Sequence, residues 1–151
     1  MQYLFHLESP IGPLTLTEED GALIRLDFGK KGQAGPETPL LAEARNQLEQ
    51  YFSGTLRSFA LPLRPEGTPF QQKVWAALLQ IPWGETRTYG QVAAMIGQPK
   101  ACRAVGMANN RNPLPIFIPC HRVIGANGQL TGYAGGLSAK ERLLSLEHSN
   151  R

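Results

Sequence analysis

Hydrophobic and polar positions alternate in two early stretches of the chain, the period of a half-buried strand. The alternating apolar positions are Leu14, Leu16, Ile24, Leu26 and Phe28. Glu19-Asp20-Gly21, between the two stretches, predicts a hairpin turn. A glycine- and proline-containing loop over 29–39 follows, and this half of the chain therefore begins as a small sheet.

A three- to four-residue spacing then predicts a helix that Ser53-Gly54 ends. Its apolar face is Leu41, Ala44, Leu48 and Tyr51. Alternation at Phe59, Leu61 and Leu63 predicts a third strand. Residues 64–67 resemble a linker, so we expect an N-terminal domain over 1–65 and a second domain over 66–151.

Helices dominate the second domain. Thr68 is placed to cap a helix with Pro69 at its first position, and an apolar face runs from Phe70 to Ile81. A short helix over 91–96, closed by Gly97, is followed by one that opens at Pro99 or Lys100. Two short helices around a glycine-containing turn predict a helix-turn-helix. The fold class is therefore α+β.

Residues 112–124 combine prolines with β-branched and aromatic residues, which predicts a buried but irregular segment. A turn and a glycine-rich loop over 131–136 come next. The last helix is expected to open at Ser138 with a capping box to Glu141 and to reach His148.

Composition and charge narrow the function classes. Hydrophobic residues make up 42% and charged residues 18% of the 151 residues, which predicts a packed core. No long apolar run or signal-peptide pattern is present, so we expect a cytoplasmic protein whose two cysteines stay reduced and hold no zinc. Residues 1–85 contain ten of the twelve acids, whereas no acid lies between Thr86 and Lys140. Such a basic stretch suits a phosphate backbone, although an ordinary solvated face would fit as well.

Cys120 is the candidate nucleophile, with His121 and Arg122 next to it. A reactive thiol needs a base or positive surroundings, and His121 and Arg122 could supply both. In an extended segment neighbouring side chains point to opposite faces, so His121 would not touch the sulfur directly unless the chain turns there, and a bridging water would connect the two. An acid orienting the imidazole would be Glu141 or Glu147, and a purely structural Cys-His pair remains the alternative.

Several motifs together resemble the O6-alkylguanine-DNA alkyltransferases over about residues 68–147. They are Pro119-Cys120-His121-Arg122-Val123-Ile124-Gly125, Asn112-Pro113, Tyr133-Ala134-Gly135-Gly136, Lys140-Glu141, Thr88-Tyr89-Gly90-Gln91-Val92-Ala93 and Arg103-Ala104-Val105-Gly106. The resemblance implies irreversible, stoichiometric repair of O6-alkylguanine, and of O4-alkylthymine, in duplex DNA bound by the minor groove, by a monomer without cofactor. It also implies a ribonuclease H-like N-terminal domain.

The resemblance assigns roles to individual residues. Cys120 resembles the alkyl acceptor, activated by His121 and Glu147. Tyr89 resembles the donor to the guanine ring, and Asn112 the tie between the helix-turn-helix and the active-site strand. Arg103 resembles the finger that replaces the flipped base in the stack. The implied DNA contacts also include Lys100, Ala104, Arg111 and Tyr89, and the implied pocket residues are Pro115, Val123, Tyr133 and Ala134.

Two other readings compete with this one. A lesion sensor without chemistry would share the basic half and the base pocket, but it would need no thiol. A cysteine hydrolase would use Cys120 and His121, but it would leave Arg103 and the acid-free stretch unexplained. Transfer of one alkyl group to the protein separates the three.

Overall fold

The computed structural model describes residues 1–150. They form two compact units that divide between Glu66 and Gly67. Both strands and helices are present, as the α+β prediction requires. None of the helices within residues 1–150 has the length and apolar character that a membrane crossing requires.

The first unit contains a three-stranded antiparallel sheet in the order β1-β2-β3. Its strands are β1 (Gln2–Leu7), β2 (Leu14–Glu19) and β3 (Ala22–Phe28). Asp20 and Gly21, both with positive φ, make the turn between β2 and β3, which confirms the predicted hairpin. The strand β1 escaped prediction because four of its six residues are only partly buried, so its sequence lacks a clear alternation.

Helix α1 (Pro39–Phe52) follows, capped by Thr38, and confirms the predicted helix. The predicted strand at 59–63 is wrong, since only Leu63 forms a bridge, to Leu23. The side-chain amide of Gln47 instead accepts from the N–H of Ala60 at 2.9 Å and donates to its carbonyl at 3.2 Å. A side chain on α1 therefore satisfies backbone groups that a strand partner would have taken.

Within residues 67–150, the described part of the second unit, there are four α-helices and a short two-stranded parallel sheet. The helices are α2 (Pro69–Leu78), α3 (Tyr89–Met95), α4 (Cys102–Asn110) and α5 (Leu137–Ser149), and the strands are β4 (Arg87–Thr88) and β5 (Val123–Ile124). The predicted Thr68 cap is confirmed as a full capping box, with Gln71 bonded back to Thr68. Trp75 of α2 donates from its indole to the carbonyl of Ala108 at 2.9 Å, which ties α2 to α4.

Helices α3 and α4 pack together around a turn that contains Gly97 at φ +74°, the arrangement predicted for a helix-turn-helix. Three predicted helix starts are wrong. Helix α3 begins at Tyr89 and not at Gln91, because Thr88 caps it and accepts from the N–H of Gln91. Helix α4 begins at Cys102, because the N–H of Ala101 bonds to the carbonyl of Gln98 and keeps the chain in a turn up to that point. Helix α5 begins at Leu137 after Gly136, with no side-chain cap, so the Ser138 capping box does not form.

The segment between α4 and β5 is buried and irregular, as predicted. Ile116 lies in the left-handed region at φ +75°, where a β-branched residue is strained. Asn112 holds this bend, since its side chain accepts from the N–H of Leu114 and donates to the carbonyl of Ile118, both at 2.9 Å. The segment is thereby fixed at the point where it delivers Cys120.

Candidate active site

Cys120 is the first residue of a 3₁₀ turn, Cys120–Arg122, and only 4% of it is exposed. Of the two conformations left open, an extended chain or a turn, the chain adopts the turn, because the N–H of Arg122 bonds to the carbonyl of Pro119. Burial raises the pKa of the Cys120 thiol to about 11, although the side chain of Asn112 and the charge of Lys140 each pull it down. At neutral pH the resting sulfur is therefore protonated.

A buried network of three side chains adjoins the turn. His121 Nε2 lies 2.6 Å from Glu147 Oε2, and Arg122 binds both carboxylate oxygens, from Nε at 2.8 Å and from Nη2 at 3.0 Å. Arg122 Nη1 also donates to the carbonyl of Ile81 at 2.6 Å. His121, Arg122 and Glu147 are all less than 10% exposed. The residues alone left Glu141 and Glu147 open, and Glu147 is the one that reaches the imidazole, while Glu141 is exposed.

The charges within this network follow from its contacts. Burial alone would raise the pKa of Glu147, but the bonds from His121 and Arg122 outweigh it and lower that pKa to about 2. Burial lowers the pKa of His121 below its ordinary value. At neutral pH an anionic Glu147 thus faces a neutral imidazole, which places the ring proton on Nε2 and makes Nδ1 the basic nitrogen.

Arg122, a candidate source of positive charge for the thiol, directs its donors to Glu147 and to the carbonyl of Ile81. Lys140 is the buried cation that acts on Cys120. It is fully buried, its Nζ donates to the carbonyl of Thr131 at 2.7 Å, and burial lowers its pKa. The sequence does contain a signal for it. Lys140 and Glu147 share a helix face with the buried Leu143, at spacings of three and four.

Tyr89 connects the helix-turn-helix to Thr131, which lies in the loop between β5 and α5. Tyr89 is the first residue of α3, and its ring lies close to Gly106 of α4. A methyl group at Gly106 would be in van der Waals contact with that ring. Its hydroxyl lies 2.7 Å from Thr131 Oγ1. Thr131 therefore contacts Tyr89 with its side chain and Lys140 with its backbone.

The four predicted pocket residues differ in exposure. Pro115 and Val123 are buried, Tyr133 is half-buried and Ala134 is exposed. Pro115 bridges to Ile118, and Val123 pairs with Arg87 between the two short parallel strands. A cavity of about 430 Å³ beside α5 includes Glu147 in its lining but none of these four residues.

Four of the five predicted DNA contacts lie on an exposed stretch from the turn before α4 to the residue after it, and the fifth, Tyr89, is half-buried at the start of α3. Lys100, Arg103, Ala104 and Arg111 are all exposed, and so is Cys102. Within residues 1–150 no group of three or more His, Cys, Asp or Glu side chains is arranged to hold a metal ion.

Comparison with known proteins covers both units. A model described as "6-O-methylguanine DNA methyltransferase, ribonuclease-like domain" matches residues 3–65, and one described as "6-O-methylguanine DNA methyltransferase, DNA binding domain" matches residues 69–149. The first match confirms the predicted ribonuclease-like character of the N-terminal part.

Similar proteins align over almost the whole chain. A methylated-DNA–protein-cysteine methyltransferase of Methanosarcina barkeri is 57% identical, covering 95% of this chain and 96% of the relative. The constitutive one of Bacillus subtilis is 50% identical, covering 97% and 96%. The crystal structure of Mycobacterium tuberculosis OGT in complex with DNA is 48% identical with a TM-score of 0.92, covering 98% of this chain and 94% of that one.

Proposed function

The chain belongs to the 6-O-methylguanine DNA methyltransferase family and repairs DNA by alkyl transfer to a protein cysteine, and we propose that Cys120 is the acceptor. The observation that carries the assignment is the buried Cys120 at the start of a turn that also holds His121 against Glu147. Cys102 is exposed at the beginning of α4 and has no comparable network.

The network supplies the base that a protonated thiol needs. Cys120 passes its proton through a bridging water to His121 Nδ1, while Glu147 stabilises the imidazolium that forms. Lys140 stabilises the thiolate electrostatically. A new bond forms between Sγ and the alkyl carbon, the bond from that carbon to guanine O6 breaks, and its electron pair stays on guanine.

Tyr89 donates a hydrogen bond to the ring of the departing base as negative charge builds up there. Guanine gains one proton and the thiol loses one, so the overall reaction neither takes up nor releases a proton. The product is a thioether, which has no good leaving group. Each molecule therefore acts once, and no cofactor takes part.

An alkyl carbon within the base stack is out of reach of a buried thiol, so the nucleotide must leave the duplex. Arg103 on the exposed side of α4 fills the vacated position, and the small Ala104 beside it lets the helix approach the minor groove. Lys100 and Arg111 neutralise phosphates on either side. Tyr89, packed against α4 near Gly106, lies where the flipped nucleotide enters.

The remaining residues shape the pocket and hold it in place. Pro115 and Val123 provide buried walls, Tyr133 packs against the alkyl group, and the backbone of Ala134 contacts the base. Asn112 ties the end of α4 to the active-site segment. The protein acts as a monomer on chromosomal DNA in a bacterial-type cytoplasm, on O6-alkylguanine and also on O4-alkylthymine. The domain bounds that we propose, residues 1–65 and 66–151, lie one residue from the division between the two compact units.

Intact-mass measurement after mixing with a duplex containing O6-methylguanine tests the assignment. The wild type gains one methyl group on Cys120, Cys120→Ala gains none while still binding the duplex, and the matched Cys102→Ala variant reacts like the wild type. A lesion sensor would gain no mass, and a cysteine hydrolase would release product without lasting modification. Stoichiometric transfer in Cys120→Ala would refute the assignment.

A further inference from the structure

Thr131 contacts two residues of the proposed reaction: Tyr89, the donor to the departing base, and Lys140, the cation that acts on the thiol. Its hydroxyl lies 2.7 Å from the phenolic oxygen of Tyr89, and its carbonyl accepts from Lys140 Nζ at 2.7 Å. Lys140 is fully buried, so the backbone of Thr131 is held by a side chain that has little freedom to move. The backbone of Thr131 is thereby held at a position from which its hydroxyl reaches the phenol.

We propose that Thr131 is a positioning residue for alkyl transfer, whose hydroxyl donates to the Tyr89 oxygen and thereby directs the phenolic proton toward the departing base. The inference rests on the proposed function, because the role of Tyr89 as donor to the base belongs to it. Tyr89 itself touches the substrate, whereas Thr131 acts only through Tyr89.

The hydrogen-bonding capacities of the two groups permit this chain. A phenol has one proton to donate and accepts through its oxygen, and a threonine hydroxyl does both. If Thr131 gives its proton to the Tyr89 oxygen, the single phenolic proton must point elsewhere. Successive hydrogen bonds polarise one another, so the phenol becomes a stronger donor to the base.

Lys140 contacts the backbone carbonyl of Thr131, whereas Tyr89 contacts its side chain. The two contacts can therefore be tested separately. Because Nζ binds the carbonyl, replacing the side chain leaves that contact available. Thr131→Val keeps the β-branched shape of the residue and removes only the hydroxyl. Thr131→Ser keeps the hydroxyl and removes only the methyl group.

The single-turnover rate of methyl transfer from duplex O6-methylguanine tests the proposal in a double-mutant cycle with Tyr89→Phe. Thr131→Val should lower the rate about 3- to 10-fold, the range expected for one hydrogen bond. Thr131→Ser should restore it to within about 2-fold of the wild type. In the Tyr89→Phe background, Thr131→Val should change the rate by less than about 2-fold, because the phenolic oxygen is already gone.

Two further measurements separate positioning from loss of shape or of thiol reactivity. The rate of Cys120 modification by iodoacetamide as a function of pH should be the same in Thr131→Val and wild type, since the Lys140 contact remains. Thermal unfolding of each variant confirms that it is folded.

A wild-type rate in Thr131→Val, or the same loss in the presence and absence of the Tyr89 hydroxyl, overturns the positioning role while leaving the proposed function intact. Failure of the wild type to gain a methyl group overturns the proposed function and this inference with it.

Discussion

Replacing Glu147 by Gln removes the charge from the buried network and keeps its shape. Glu147 accepts from His121 and twice from Arg122, all within 3.0 Å. The variant leaves the buried guanidinium of Arg122 without a carboxylate, and its bond to the carbonyl of Ile81 does not compensate the charge. Breaking a buried ion pair by removing one partner costs about 3–5 kcal/mol. For a chain of this length we expect Tm to fall by roughly 6–20 °C.

The same change should disable the base. A glutamine amide can donate to Nε2 of His121, which would move the ring proton to Nδ1, the nitrogen that must accept from the thiol through water. General-base catalysis contributes roughly 10²- to 10⁴-fold, so methyl transfer should slow by about 10²-fold or more. The rate is measured by quenched single turnover at a temperature where the variant is folded.

The pH dependence of stability provides a further check. The pKa of Glu147 is lowered to about 2, so its contribution to stability is present above the ordinary carboxyl pKa and is lost as pH falls toward 2. The wild type should therefore lose stability between about pH 5 and 2, and Glu147→Gln should lack this part of the slope. Glu141→Gln, on the exposed side of the same helix, is the matched control and should resemble the wild type in every assay. A Glu147→Gln variant with wild-type Tm and rate would refute the reasoning.

Three other changes probe the electrostatics and the DNA contacts. Lys140→Met should raise the pKa of Cys120 above about 11 and slow transfer roughly 10-fold, which corresponds to one pKa unit. The control Arg142→Met, on the exposed face of α5, should change neither quantity. The pH dependence of iodoacetamide modification measures the pKa of Cys120 in both variants. Arg103→Ala should slow repair of duplex DNA roughly 10- to 100-fold more than reaction with the free modified base. Equal slowing of both reactions would contradict a role of Arg103 in base extrusion and would favour a phosphate contact instead. Binding should weaken with salt and differ little among undamaged sequences, and Lys100→Ala should reduce the log–log salt slope by about 1, whereas an unchanged slope would contradict its phosphate contact.

The sequence predicted best those elements that neighbouring residues determine. Thr68 and Pro69 start α2 through contacts three residues away, and the spacing of Leu41 and Leu48 gives the buried face of α1. The wrong prediction of a strand concerns a segment whose conformation depends on a residue far away in the sequence. Alternation at 59–63 suggested a strand, but Gln47 takes the backbone of Ala60, and no local pattern shows that contact.

The same distinction applies to the site. Adjacency along the chain suggested that Arg122 would act on Cys120, yet the 3₁₀ turn directs Arg122 to Glu147 and brings Lys140, twenty positions further along the chain, into electrostatic contact with the thiol. From the sequence alone, the acid that orients the imidazole of His121 could be either Glu141 or Glu147. Helical periodicity with the buried Leu143 distinguishes them, since Glu147 lies four positions beyond it on the same face.

A pKa of about 11 for Cys120, the proposed acceptor, has a consequence for a protein that reacts once. Because burial raises this pKa well above neutral pH, the resting Cys120 is largely protonated, and a small electrophile that reaches the sulfur meets a weak nucleophile. In the proposed mechanism the thiol becomes reactive only with DNA bound, because His121 takes the proton while an alkyl carbon is in place and Tyr89 stabilises the leaving base. A permanently ionised thiolate would gain rate with the substrate but would also be consumed by other electrophiles, and each such event would remove one repair molecule. Burial of Cys120, which opposes ionisation, therefore supports specificity, and the His121–Glu147 pair is needed because of it.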